Sequence, residues 1–284
     1  MAKERALFHG ELGFVGAFRS SVTDPVPNDA PPYEWPLVVF PRTRVAVQVR
    51  RGAPERIVGP GSAVLYAIGD RPLVRFIDPV DRCDFVALRP DVYESVTGTS
   101  FDAPEFDQRV VPVASRHVMG LRSLVTTLAE ASCVEALHVE ETLLAAVGDA
   151  AKSTRGTGVP APGGRHAQRV LAGHVLDVVH ADASARWTID DVARTLGASP
   201  ATLSRAFRMA MGTTIHRYRL DARLAQSLDR LDDDLSRVAA ELGFASHSHF
   251  TNTFRQRFGV TPQVARARLR GQPGSSTDPW WTAR

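Results

Sequence analysis

Apolar residues follow two different rhythms along this chain, one in each half. In "TRVAVQVR" the side chains of Val45, Val47 and Val49 alternate with polar neighbours, and "GPGSAVLYAIGD" is a short apolar run held between turn residues; both predict strands. Further short runs, "LVRFI" (73–77) and "DFVALRP" (84–90), follow at close spacing. Strands this close together, with no helical stretch between them, predict an antiparallel sandwich or barrel. From Arg116 to Ala151 the period changes: Leu121, Leu124, Val125 and Leu128, then Val139, Leu143, Leu144 and Val147, recur at three and four. That spacing predicts two helices closing the first domain. After Arg165 the pattern is helical throughout, with readable start signals. Thr188 precedes Asp190 and Asp191, Ser199 precedes Pro200, and Thr261 precedes Pro262, each an N-cap residue, in two cases with proline at the first helical position.

Between the two rhythms lies "KSTRGTGVPAPGGR", Lys152 to Arg165, whose Gly, Pro, Ser and Thr content is that of a flexible connector. The expected organisation is a domain over 1–151, a linker over 152–165, a helical domain over 166–270 and a disordered tail over 271–284. Trp280 and Trp281 in that tail read as a loose end packing on nothing in particular. A chain of 284 residues has room for two such cores. The cysteines, Cys83 and Cys133, have no close-spaced partner, so neither a disulfide framework nor a thiolate zinc site is suggested. The start, "MAKERALFHGE", has no apolar segment, and no run approaches the roughly 20 apolar residues of a membrane helix. The expected location is the cytoplasm, with no membrane partner.

Charge is unevenly placed. Residues 1–164 carry 17 Lys+Arg against 20 Asp+Glu, net −3, while residues 165–284 carry 17 against 11, net +6. Every basic residue of the second set is arginine, whose planar fork matches phosphate groups and guanine edges. The helical part is therefore expected to meet an anionic partner.

An internal repeat says which partner. "IDDVARTLGASPATLSRAFRMAMGTTIHRYR" (189–219) aligns with "LSRVAAELGFASHSHFTNTFRQRFGVTPQVAR" (235–266), with one extra residue, assigned to Phe244, in the second copy. The alignment pairs Val192 with Val238, Ala193 with Ala239, Leu196 with Leu242 and Gly197 with Gly243. It continues through Ser199 with Ser246, Leu203 with Phe250, Phe207 with Phe254, Arg208 with Arg255 and Gly212 with Gly259. Each copy is a short helix ending at a glycine suited to a left-handed turn, followed by a serine cap and a second helix with an inward apolar stripe. This is the plan of a helix-turn-helix, present twice.

Over Ala167 to Arg270 the chain resembles the AraC/XylS family of transcription regulators. The resemblance is strongest in "GFASHSHFTNTFRQRFGVTP" (243–262), which is similar to the family's Gly-Phe-x-Ser, Phe-x-x-x-Phe, Gly-x-x-Pro pattern. It departs from the family at Asn252, where Arg is usual, at Ala265, where an aromatic is usual, and at Arg223 in the joining helix, where a small residue is usual. The resemblance implies an α+β multidomain chain, with an N-terminal β-rich cupin-like domain with closing helices and a C-terminal all-α domain with two helix-turn-helix units. It implies a sequence-specific DNA-binding transcription regulator, more often an activator, working as a homodimer on double-stranded DNA with RNA polymerase as a further partner, and no catalytic residue or cofactor. The rival is a cupin-type small-molecule enzyme fused to a nucleic-acid-binding domain.

On the first candidate recognition helix, Ala201, Thr202, Ser204, Arg205, Arg208 and Met209 fall outside the inward stripe. Arg205 can bond guanine bidentately, and Ser199 caps the helix. On the second, His247, Ser248, Thr251, Asn252 and Arg255 fall most clearly outward, with His249 at the margin and Ser246 as the cap. Asn suits adenine, while His, Ser and Thr suit phosphate or single base contacts. The two histidines, whose protonation would make binding pH-sensitive, are no metal pair, because side chains two apart on a helix diverge. The joining helix, Thr214 to Leu231, is roughly 18 residues and about 27 Å long. The acidic run "DRLDDD" (229–234) reads as a solvated turn, with Asp234 capping the next helix. In the first domain no histidine falls between Gly10 and Arg116, which disfavours a metal-dependent cupin. A small-molecule effector is expected to meet Trp35, Phe40, Tyr66, Phe76 and Phe85 as pocket walls, with Arg44 and Arg75 as polar contacts.

Overall fold

Alternating and short apolar runs form strands because one face of each can be buried while its backbone pairs with a neighbour. The computed structural model describes residues 3–20, 28–29, 32–49, 52–98, 109–130, 134–154 and 164–270. Ten strands come first: β1 (Lys3–His9), β2 (Gly13–Ser20), β3 (Asn28–Asp29), β4 (Leu37–Pro41), β5 (Val45–Gln48), β6 (Arg56–Val58), β7 (Ser62–Tyr66), β8 (Leu73–Phe76), β9 (Asp81–Leu88) and β10 (Val110–Pro112). Helix α1 (Pro90–Thr97) sits between the last two, and α2 (Ser115–Glu130) and α3 (Ala136–Thr154) follow. Then come α4 (Gly164–Ala181), α5 (Ile189–Thr195), α6 (Pro200–Met211), α7 (Ile215–Ser227), a 3₁₀ turn (Leu228–Arg230), α8 (Leu235–Glu241), α9 (His247–Phe258) and α10 (Pro262–Leu269). The chain is α+β, with a β-rich N-terminal part and a helical C-terminal part.

The strands make two antiparallel sheets, β1-β2-β9-β4-β7-β10 and β3-β8-β5-β6. Register in the first sheet sets Val38 of β4 between Leu65 of β7 and Val86 of β9, and all three are at most 1% exposed. Val45, Val47 and Phe76 of the second sheet share a buried cluster with Val64 and Tyr66 of the first. Strands β1, β2, β4 and α1 have no clear sequence signal. In β2, "GFVGAFRS" carries two glycines that read as breakers, yet Gly16 is required where it stands, because a Cβ there would collide with the ring of Phe85.

The helical stripes of α2 and α3 are internal core: Leu121, Leu124, Val125, Val139, Leu143 and Val147 are buried in a cluster that continues into Phe250 and Phe254 of α9. They therefore offer no free apolar seam to a second copy; Leu128 and Leu144 are half-buried and Leu137 is exposed. A second cluster runs from Val47, Val58 and Phe76 through Val175, Leu176 and Val179 of α4 to Leu203 and Phe207 of α6. Both cores thus cross between the β-rich and the helical parts.

Polar contacts mark the same junction. Arg56 pairs with Asp177 at 3.0 Å, Ser115 Oγ donates to Asp221 at 3.1 Å, and buried Arg122 pairs with Asp229 at 3.0 Å. The turn from Gly59 to Ser62 fits between α4 and α7. Gly61, at φ 90°, comes so near α7 that a Cβ would stand 3.2 Å from the Ala222 Cα. Such a position admits glycine alone without strain.

The joining helix runs from its cap at Thr214 to Leu231 as expected, with α7 giving 13 residues and the last turn tightening into 3₁₀ geometry. Two expectations change here. The acidic run is not a plain solvated turn, since Asp229 pairs with Arg122, Asp233 with Arg230 and Asp232 with Arg266 and Arg270. Helix also reaches into both ends of the segment expected to be a linker, because α3 extends to Thr154 and α4 starts at Gly164. The remainder of that segment, the tail with Trp280 and Trp281, and Cys133 lie outside the described residues. No helix of the described residues is long and apolar enough to cross a membrane.

Candidate nucleic-acid interface

Two helix pairs, α5 with α6 and α8 with α9, are built by the same local chemistry. Thr188 accepts from the Asp191 N–H while the Asp191 carboxylate accepts from Thr188, a reciprocal cap. The Thr188 hydroxyl holds this carboxylate below the usual range. Asp234 caps α8 by accepting from the Arg237 N–H at 2.8 Å. Both first helices end at a glycine in the left-handed region, Gly197 at φ 61° and Gly243 at φ 74°, and serine then caps the second helix. Ser199 Oγ accepts from Thr202 N–H and Ser246 Oγ from His249 N–H, each at 3.1 Å. Each such cap contributes about 1 kcal/mol.

The turn hydrogen bonds correct the register of the inserted residue. Ala198 N–H donates to Ala193 O and Phe244 N–H to Ala239 O, both at 2.9 Å, so Phe244 is the counterpart of Ala198 and the extra residue is Ala245. The Phe244 ring packs edge-on against Phe250 and His249 at 5.2 and 5.6 Å.

Inside, Leu203 and Phe207 of α6 and Phe250, Phe254 and Phe258 of α9 are completely buried. Each large side chain contributes about 2–3 kcal/mol by leaving water, and together they fix the rotation of each helix about its axis. The outward faces follow. On α6, Ala201, Thr202, Ser204, Arg205 and Arg208 are exposed, with Met209 half-buried; on α9, His247, Ser248, His249, Asn252 and Arg255 are exposed. Two sequence assignments exchange places. Thr251 is half-buried, with its hydroxyl out of reach of solvent and unpaired, whereas His249 is open. α2 packs against α9, and the open side of α9 carries His249, Asn252 and Gln256. Gln256 was not selected from sequence. Its signal is its place one turn beyond Asn252, and it is exposed on the same face.

Many arginines of the helical part are engaged internally. Arg219 donates to Ala183 O at 2.8 Å and lies over the Trp187 ring at 4.2 Å; Arg223 donates to Ala183 O at 2.6 Å and to Gly243 O at 3.4 Å. A small residue at 223 would leave these carbonyls without that donor, so the departure at Arg223 serves to tie the loop before α5 to the turn before α9. Arg230, Arg237, Arg257, Arg266 and Arg270 form ion pairs. Arg257 faces Asp221 at 3.4 Å, whose carboxyl burial pushes upward. Arg205, Arg208 and Arg255, like Asn252 and Gln256, have no partner among the described residues. A charged or amide side chain held outward with no internal partner is free for an external one.

The effector candidates are not gathered into one place. Phe40 belongs to one buried cluster and Tyr66 and Phe76 to the other; Phe85 is buried against Phe14, and Trp35 is 37% exposed. Arg75 pairs with Glu55 on the outside. Arg44, paired with Asp78 and donating to Ala181 O at 2.6 Å, lines a polar crevice of about 150 Å³ with Thr43, Asp182 and Gln226. Phe40, Tyr66, Phe76 and Phe85 stand on strands whose inward faces make the core, so apolar character there reflects packing, while Trp35 lies in the bend before β4. Among the described residues no group of three or more His, Cys, Asp or Glu is placed to hold a metal ion.

Two capped helix pairs in tandem, each presenting an unpartnered polar face, define a helix-turn-helix domain, and residues 192–268 match the family model described as "Helix-turn-helix domain". Within that class the C-terminal part of this chain is similar to regulators of the AraC type. It is 34% identical over 107 residues to YidL of Escherichia coli, described as an uncharacterized HTH-type transcriptional regulator, a match covering 37% of this chain and 36% of that protein. It is 29% identical over 97 residues to the urease operon transcriptional activator of Escherichia coli, covering 33% and 31% respectively. A solved AraC-type DNA-binding domain protein from Chromobacterium violaceum is 28% identical, with a TM-score of 0.35, over 38% of this chain and 99% of that one. The chain spans about a third of the length of the curated relatives it matches.

Proposed function

We propose that this chain is a sequence-specific DNA-binding transcription regulator in which residues 166–270 carry two helix-turn-helix units and residues 1–151 form a cupin-like sensing and dimerisation domain. The observation that carries the reading is the pair of capped helices in tandem, each turning an exposed, unengaged polar face outward: Arg205 and Arg208 on α6, and Asn252 and Arg255 on α9. α7 and its 3₁₀ turn together advance about 25 Å. With the width of the helices this suits successive major-groove segments, about 34 Å apart on one face of a slightly bent duplex. Activation is favoured over repression by the likeness to a transcriptional activator, and RNA polymerase is then the partner that activation requires. The homodimer rests on the likeness to AraC-type regulators alone, since the apolar stripes of α2 and α3 are internal core. The small-molecule effector rests on the polar crevice at Arg44, between the β-rich part and α4.

The test is selection of genomic fragments of the source organism by the full chain, followed by binding to the enriched duplex and to random duplex. Preference for the enriched duplex that weakens steeply with salt supports the reading. Equal binding to both overturns it.

A further inference from the structure

We infer that the target duplex consists of two unlike half-sites, one specified by guanine where Arg205 meets the groove and the other by adenine where Asn252 does. The inference rests on the DNA-binding reading above and deepens it. α6 and α9 share one frame: each has 12 residues, a serine cap before the first, and a left-handed glycine after the last, Gly212 at φ 65° and Gly259 at φ 76°. Leu203 with Phe207, and Phe250 with Phe254, occupy the same positions in the two helices and are all fully buried. Equal rotation about the helix axis follows, so the sixth residue of each helix, Arg205 or Asn252, leaves its helix in the same direction. Both are exposed and unengaged. Arg208 and Arg255, three positions after these residues, are exposed and identical in the two copies, which gives both units the same backbone anchor.

The central readers are chemically opposite. Arginine offers donors only, matching the O6 and N7 acceptors of guanine; asparagine offers one donor and one acceptor, matching N7 and N6 of adenine. Neither can replace the other at two bonds. Gln256, exposed one turn after Asn252, repeats the donor–acceptor pattern on the second face. Its counterpart Met209 is half-buried and apolar, so only the second unit extends the preference. Tandem units with unlike readers give a target without a dyad axis inside one chain's footprint.

The experiment is selection from a random duplex library by the full chain and by the variants Asn252→Arg, Asn252→Ala and Arg205→Asn. The expected motif has a guanine in one half and an adenine in the other. Asn252→Arg should turn the adenine position to guanine and leave the other half unchanged, Arg205→Asn should do the reverse, and Asn252→Ala should lose about 10-fold discrimination at that position alone. An enriched motif with the same base at both responding positions, or one whose adenine is indifferent to Asn252→Arg and Asn252→Ala, overturns this inference and leaves the DNA-binding reading standing. Enrichment of no motif by the wild-type chain overturns both.

Discussion

Arg56 on β6 and Asp177 on α4 form an ion pair at 3.0 Å, and the other carboxylate oxygen of Asp177 accepts the Ile57 N–H at 3.0 Å. One carboxylate thus satisfies a strand backbone and a guanidinium from the β-rich part with a side chain of the helical part. Gly173, one turn earlier on α4, leaves the room in which that guanidinium lies.

Asp177→Ala should therefore destabilise by about 1–3 kcal/mol, because a partly buried N–H and a guanidinium both lose their acceptor. Gly173→Ala should cost stability in the wild type by displacing Arg56. In an Arg56→Ala background the same change should stabilise by about 1 kcal/mol, from helix propensity alone. Urea unfolding of the four proteins in the Arg56/Gly173 cycle checks this; additive effects would mean that the two positions do not interact.

His180 of α4 and Tyr218 of α7 share a hydrogen bond of 2.7 Å in the core, and burial depresses the imidazole from its ordinary 6.5 to about 3. Above pH 6.5 neither the folded nor the unfolded chain holds the proton. Below it the unfolded chain does and the folded one does not, so stability should fall as pH drops from 6.5 toward 3, by about 1.4 kcal/mol per unit. Replacing His180 by Gln should flatten that part of the profile in urea titrations at successive pH values. An unchanged slope would mean that other groups set it.

Ser199→Ala and Ser246→Ala should each cost about 1 kcal/mol, since each leaves a helix N–H unsatisfied at an exposed end. Thermal melts measure the loss, and a double variant should show the sum, because the two caps share no partner.

Arg255→Ala, placed at a face common to both units, should weaken binding to target and random duplex alike and reduce the slope of log affinity against log salt by about 1. Arg205→Ala should instead lower the ratio between the two duplexes by about 10-fold or more, from 1–3 kcal/mol of base discrimination. Titrations at several salt concentrations separate the two outcomes.

The helical half was the more legible. Its caps, turn glycines and aromatic stripe are local devices acting within one or two turns, so Ser199, Ser246, Gly197, Gly243 and Phe254 took their roles from spacing. The effector candidates were not legible in the same way. Phe40, Tyr66 and Phe76 look alike as sequence, yet sheet pleat and pairing send them into two separate cores, and pairing partners lie tens of residues away.

The sequence by itself determined the repeat, the caps and which faces of α6 and α9 turn inward, because a 3.6-residue period and a capping hydroxyl need no distant partner. Only the tertiary structure decided that Thr251 is covered and Gln256 open, that Phe244 replaces Ala198 at the turn, and that many arginines of the helical part are engaged internally. Those outcomes depend on how whole elements pack against α9 and on which carbonyls and carboxylates other segments bring near. Contacts between residues far apart in the chain are set by packing of whole elements, and no local pattern encodes them.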